Sequence, residues 1–215
     1  LASSKNKNNV MLRISYAITA CNEHVELERL LDQLKNNIRP EDEVVIQVDT
    51  TATEEVKEVA SKYPDFATVT AFPLAGDFAQ FKNNLNKYCT REFIFQIDAD
   101  EYPHPHLIAS LPEILEYNYN VDVFLTPRIN TVEGLTEQHI QQWGWNVNDK
   151  GWVNFPDYQW RIWKNSKKIR WINKVHERLD GFGEYSLFPQ MEEYCLFHPK
   201  DIKRQEKQNQ FYSTL

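Results

Sequence analysis

The chain has little of what a stapled or membrane-spanning protein requires. Its three cysteines, Cys21, Cys89 and Cys195, are far apart, lack metal-type spacing and cannot all pair with one another, which fits a reducing compartment. No stretch approaches the roughly 20 apolar residues of a transmembrane helix, and the polar opening Ser3 to Asn9 has no signal-peptide apolar region. A basic excess is also missing: the formal charge of −7 argues against general nucleic-acid binding, which needs a concentrated basic surface, and favours a bound divalent cation. Internal repeats and low-complexity segments are absent from the sequence. What is there is an ordinary globular composition, 41% hydrophobic and 26% charged, which excludes disorder and coiled coil. Its 215 residues suffice for one substantial core.

Met11 stands just before the first apolar run, so residues 1–12 read as an N-terminal tail or a remnant of cloning, and 13–215 as one domain. Ile14 to Ile18 reads as a buried strand, followed by Asn22 as N-cap of a helix carrying Val25, Leu27, Leu30, Leu31 and Leu34. A second such unit follows, with strand Glu43 to Val48 and a helix capped at Thr53-Glu54-Glu55. Ala67 to Phe72 and Glu92 to Ile97 are further strands around a helix from Asp77 to Cys89. This alternation predicts an α/β fold with a Rossmann-like, mostly parallel sheet flanked by helices. Beyond it lie a helix (Leu107 to Tyr117), strands at Val121 to Pro127, Tyr158 to Trp163 and Glu193 to Phe197, and a polar helix from Lys200 to Phe211. His104 and His106, between Pro103 and Pro105, suggest a rigid turn.

The most informative feature is Asp98-Ala99-Asp100-Glu101, directly after an apolar strand. Ligands in open α/β sheets collect beyond the carboxyl ends of strands. On an extended backbone Asp98 and Asp100 point the same way, giving hard oxygen ligands for Mn²⁺ or Mg²⁺ against a diphosphate. A calcium loop is excluded, because residues 98–106 lack the required glycine.

These pieces resemble family 2 glycosyltransferases with the GT-A fold, in particular the branch that modifies lipopolysaccharide cores. The resemblance runs from Ile14 to Tyr212 and rests on Ile18-Thr19-Ala20-Cys21-Asn22-Glu23, a second strand ending in Asp49, Phe78 to Asn83, the acid motif, Asp157 to Arg161 and Val175-His176-Glu177. It implies a nucleotide-sugar-binding half (13–101) and an aromatic-rich acceptor-binding half (102–215). It further implies a donor pocket of Thr19, Ala20, Asn22, Glu23, Asp49, Lys82, Asp98, Ala99 and Asp100, in which Asp49 accepts a hydrogen bond from the base and Lys82 approaches the base or diphosphate. Many relatives have Arg where Lys82 stands, and lysine cannot form the bidentate fork.

The implied reaction inverts the sugar's anomeric centre, using a carboxylate base to deprotonate the acceptor. Glu177 is the first candidate and Asp157 the second. Asp98 and Asp100 would hold the metal, with His198 either an additional ligand or a structural residue. Trp160, Arg161, Trp171 and His176 are the candidate acceptor contacts; of the six tryptophans, two are expected to touch ligand and the rest to fill core. The resemblance points to a UDP-hexose donor, a glycan or lipid-linked glycan acceptor, and a cytoplasmic enzyme able to work at the inner face of the membrane. Two other readings stay open. A sugar-phosphate nucleotidyltransferase would release pyrophosphate, but its glycine-rich basic loop is missing from Ala20 to Glu23. A catalytically inactive nucleotide-sugar-binding relative would show no turnover.

Overall fold

The computed structural model describes residues 12–212, so nearly all of the expected N-terminal tail lies outside the described residues. The first half runs β1 (Ile14–Ala20), α1 (His24–Asn37), β2 (Glu43–Asp49), α2 (Glu54–Ser61), β3 (Ala67–Phe72), α3 (Phe78–Asn86) and β4 (Phe93–Asp98). The second runs β5 (Tyr102–Pro103), α4 (Pro105–Tyr117), β6 (Val123–Glu133), α5 (Glu137–Trp143), β7 (Val153–Lys164), β8 (Arg170–Ile172), β9 (Arg178–Asp180), β10 (Tyr185–Leu187), β11 (Leu196–Asp201) and α6 (Ile202–Tyr212).

Four parallel strands, β3-β2-β1-β4, continue through β7, β6, β11 and β5 in one sheet, with β10 alongside β6. β7 runs antiparallel to both β4 and β6, so β6 points the same way as β4 and its carboxyl end joins the same edge. Alternation along each strand divides the core. Tyr16, Ile18, Val44, Ile46, Phe93 and Phe95 face one cluster under α1, α2 and α4, whereas Ala17, Val45 and Ile94 face a second cluster with α3, β8 and β9. Leu27, Leu30, Leu31 and Leu34 of α1 are fully buried, each stabilising by about 1.5–3 kcal/mol.

Several local expectations change. The N-cap of α1 is Glu23, not Asn22, and it makes no side-chain cap hydrogen bond because its carboxylate is turned back onto the preceding loop. Val25 is 64% exposed, on the outer face of the helix. Thr53 caps α2 as expected, accepting from Val56 N. His104 is not in a free turn but caps α4, with Pro105 in its first turn, where proline costs no hydrogen bond. The expected strand at 193–197 divides into a 3-10 turn (Glu192–Tyr194) and β11, which moves His198 into the sheet. All three cysteines are free. Among the described residues no helix is long and apolar enough to cross a membrane.

Candidate active site

The parallel register brings the first candidates to one edge: Thr19 on β1 lies opposite Asp98 on β4, and β2 ends beside them at Asp49. Thr19 Oγ1 donates to Asp98 Oδ1 at 2.9 Å and Gln96 Nε2 donates to the same oxygen at 2.8 Å, while Arg161 Nη2 holds Oδ2 at 2.7 Å. Burial, the largest single influence, pushes the Asp98 carboxyl up; Arg161, then Lys82 and the hydrogen bonds, more than reverse it and hold it well below the usual carboxylate range.

The two aspartates do not point the same way. β4 ends at Asp98, and the chain turns through Ala99 and Asp100, closed by Glu101 N donating to Asp98 O at 2.8 Å. The extended-backbone argument therefore fails, and the carboxylates have separate partners. Asp100 Oδ2 lies 3.1 Å from His198 Nε2 and accepts from Arg204 Nη2 of α6 at 2.9 Å. Burial raises the Asp100 carboxyl, but the His198 hydrogen bond and charge outweigh it and bring it down to about 2. Arg204 also reaches Glu26 at 3.0 Å and Glu23 at 3.6 Å, tying α6 across the opening of α1.

Arg161 is not an acceptor contact. Leu125 pairs with Trp160 and Phe124 with Ile162, so Arg161 is the extra residue of a β-bulge, a device that re-aims a side chain. It is 2% exposed and donates to Gln96, Asp98 and Glu101. Glu101, fully buried, accepts from Arg161 Nη2 at 2.6 Å and Arg128 Nη1 at 2.7 Å. These two guanidiniums supply counter-charge to the buried Glu101, and Arg161 extends it to Asp98.

Lys82 is 5% exposed. Its Nζ lies 2.6 Å from Glu177 Oε1, 3.8 Å from Asp98 Oδ1 and 4.7 Å above the Trp171 ring. Glu177 closes a loop in which Asn173 (φ 70°) and His176 (φ 55°) adopt the left-handed backbone, a strain of roughly 1–3 kcal/mol per residue that surrounding contacts must hold. They do so through Phe78 N donating to Lys174 O at 3.0 Å and through Asn83, which bonds both backbone groups of Trp171. His176 is exposed on this loop.

Other candidates take structural positions. Asp49 is 4% exposed, with Oδ1 accepting from Thr51 and Oδ2 from Leu74 N, so it joins the loops after β2 and β3. Glu23 Oε2 accepts from Cys21 N and Asn22 N, shaping the turn after β1; Ala20 is buried and Asn22 exposed. Trp171 is 3% exposed and packs edge-on to Trp163, which removes it as an open stacking face. Trp160 packs on Phe182 and Tyr185. Half-buried rings remain at Trp143, Trp145 and Trp152; Trp143 stacks on His139, and Lys150 Nζ sits 4.4 Å over Trp152.

A cavity of about 580 Å³ shares Arg204 with the Asp100 cluster and is also lined by Glu26, Glu133, Lys150 and Lys200. Burial, with the nearby Arg128 and Arg204 charges, pushes the Lys200 ammonium down to about 8. Asp157 faces Arg128 at 2.8 Å, Asn130 at 2.9 Å and Gln159 at 2.7 Å; burial raises its carboxyl, and Arg128 with these hydrogen bonds lowers it overall. Among the described residues no three His, Cys, Asp or Glu side chains gather as a metal-binding group. The available pair is Asp100 and His198. No local motif marks Arg128, Asn130 or Arg204, and Glu101 carries no sequence signal that separates it from the other acids of its motif.

A family model described as "Glycosyl transferase family 2" matches residues 15–190. No curated protein matches the chain's sequence. Among solved structures, S. aureus TarS 1–349 superposes with a TM-score of 0.60 at 14% identity, covering 87% of this chain and 60% of TarS 1–349. The same protein in complex with UDP-GlcNAc gives 0.61 at 15% identity, covering 88% and 59%. Glucosyl-3-phosphoglycerate synthase from Mycobacterium tuberculosis, with Mn²⁺, UDP and phosphoglyceric acid, gives 0.46 at 17% identity over 59% of this chain and 45% of that one. The chain thus spans about three fifths of the TarS 1–349 structures it matches, and the shared architecture is the GT-A fold.

Proposed function

The chain belongs to glycosyl transferase family 2, and on that premise we propose that it transfers a sugar from a nucleoside-diphosphate sugar to a glycan or lipid-linked glycan acceptor, with inversion. The observation that carries this reading is the meeting of Asp100 and His198, 98 residues apart, at 3.1 Å on the carboxyl edge of the parallel strands. The donor would lie over Thr19, Glu23 and Asp98, with its diphosphate toward Asp100. A uridine nucleotide is the first donor to test, because TarS was crystallised with UDP-GlcNAc.

The donor set fits a divalent cation. Asp157 is held ionised by its cationic neighbour and can only accept, so the Asn130 amide must turn its NH₂ to Asp157 and its oxygen to His198 Nδ1 at 2.8 Å. Nδ1 therefore carries a proton, and a neutral His198 presents a bare Nε2 lone pair toward the Asp100 carboxylate. Arg204 already donates to Asp100 Oδ2 at 2.9 Å, and the 3.1 Å approach of Nε2 to the same oxygen calls for a further cation or a proton between the two acceptors. Asp100 and His198 would hold Mn²⁺ or Mg²⁺, which when bound would supply charge to neutralise the leaving diphosphate.

In the displacement, the acceptor hydroxyl loses its proton to Glu177 as its oxygen bonds to the anomeric carbon and the bond from that carbon to the diphosphate oxygen breaks. Lys82 keeps Glu177 oriented next to Asp98. Asp157 suits a base less well, since Oδ2 alone accepts from two partners and its proton affinity is depressed. Trp143, Trp145 and Trp152 supply ring faces for the acceptor.

Thermal melts with UDP-, GDP-, CMP- and dTDP-sugars, each with and without Mn²⁺, test the reading. One donor class is expected to stabilise wild type only with metal, by about 2.7 kcal/mol at a hundredfold excess over Kd. Asp100→Ala should lose the shift. A shift retained in that variant would sink the donor-site assignment, and released pyrophosphate would indicate nucleotidyl transfer instead.

A further inference from the structure

Asn130 occupies a place in the sheet that no local motif marks. On one side its strand β6 pairs antiparallel with β7, and on the other it pairs parallel with β11, where His198 lies directly opposite Asn130. Its amide spans the two neighbours: Nδ2 donates to Asp157 Oδ2 at 2.9 Å and Oδ1 meets His198 Nδ1 at 2.8 Å. Because residues 128 and 130 share a face, Arg128 reaches the same Asp157 oxygen at 2.8 Å. Gln159 holds the other oxygen at 2.7 Å.

We propose that Asn130, oriented by Asp157, is a positioning residue that fixes both the ring and the proton of His198, so that Nε2 is presented to Asp100. An amide alone can offer His198 either an oxygen or an NH₂, and the two orientations select opposite imidazole tautomers. The Asp157 carboxylate removes that choice, since it accepts only the NH₂. Asp157 thereby acts through two intervening side chains and is an anchor, not the base. Outer partners of this kind commonly change metal affinity by 10- to 100-fold. The consequence for metal binding rests on the proposed function above; the fixing of His198 does not.

The test has two arms, both on the full chain. In the first, ¹⁵N-histidine protein is studied by long-range ¹H–¹⁵N NMR at alkaline pH without metal, with His198 assigned from the loss of its signals in His198→Gln. Wild type should show the proton on Nδ1. Asn130→Ala and Asp157→Val should each populate both tautomers, because neither leaves an amide fixed between residues 157 and 198. Asp157→Val removes the accepting oxygens at a bulk that suits a strand, so it guards against a folding failure of the alanine variant, and both are checked by melting. An unchanged Nδ1 proton in both folded variants would overturn the proposal.

In the second arm, free Mn²⁺ is counted by electron paramagnetic resonance, and turnover is followed at saturating metal. Asp157→Val should weaken Mn²⁺ binding 10- to 100-fold while kcat at saturation stays within a few-fold of wild type. Unchanged Mn²⁺ affinity with kcat lowered by orders of magnitude would make Asp157 the base and refute the anchor role. Absence of Mn²⁺ binding by wild type would sink the metal reading alone, and the NMR arm would still decide the role of Asn130.

Discussion

In β1, β2 and β4 the strand interiors are almost wholly apolar and buried, whereas β6 and β7 carry Arg128, Asn130, Asp157, Gln159 and Arg161 on the strands that flank the acid motif. The first half folds by covering both faces of a regular sheet, which needs only hydrophobic side chains at strand spacing. The second half interrupts its register at Arg161 and again between Arg128 and Asn130, and uses those irregularities to aim charges at the edge where β4 ends. The regular half supplies the floor, and the irregular half supplies Arg128, Arg161 and His198 as partners for its acids.

The sharpest test of this division is Glu177→Gln. If the second half carries the base, turnover should fall roughly 10²- to 10⁴-fold while donor binding, read by thermal shift, stays near wild type. Normal turnover would return the chemistry to the first half or to another residue.

Stability offers a second test. Leu30→Ala in the regular half should cost about 2–5 kcal/mol through a cavity. Arg161→Met should cost a comparable 3–5 kcal/mol, by leaving Asp98 and Glu101 without their shared counter-charge. Denaturant unfolding of both variants compares them directly. An Arg161→Met loss below about 1 kcal/mol would mean that Arg128 and Lys82 suffice, and the contrast between the halves would weaken.

The smallest expected effect is at the first half's edge. Arg13 Nη2 lies 2.6 Å from Glu92 Oε1, and this hydrogen bond is the main cause that lowers the Glu92 carboxyl to about 2. A depressed carboxylate stabilises the fold above its unfolded value of about 4.3, and that contribution disappears as pH falls through about 2. Glu92→Gln should therefore lose at most about 1 kcal/mol at neutral pH, because the pair is partly solvated. The difference from wild type should close between pH of about 4 and about 2. A difference independent of pH would assign Glu92 a packing role.

The contrast also explains what was legible in advance. Hydrophobic runs identify β1 to β4 and their helices, and the Asp98 to Glu101 motif marks the sheet edge where the candidate residues gather, because both are local patterns. Arg161 looked like an acceptor contact and Trp171 like a stacking platform, since nothing in the sequence displays a bulge or a ring turned into the core. Asp98 and Asp100 were expected to act together on an extended strand; the turn at Ala99 sends them to different partners.

The sequence by itself determined the α/β alternation, the family and the acids at the end of β4, because strand burial and motif order depend on near neighbours. Only the tertiary structure decided which distant side chains meet those acids. His198 reaches Asp100 through the pairing of β11 with β6, Arg161 reaches Asp98 through a bulge, and Glu177 reaches Lys82 through a strained loop. Each of these meetings is fixed by register and backbone geometry between segments remote in the chain, and single-chain spacing carries no record of either.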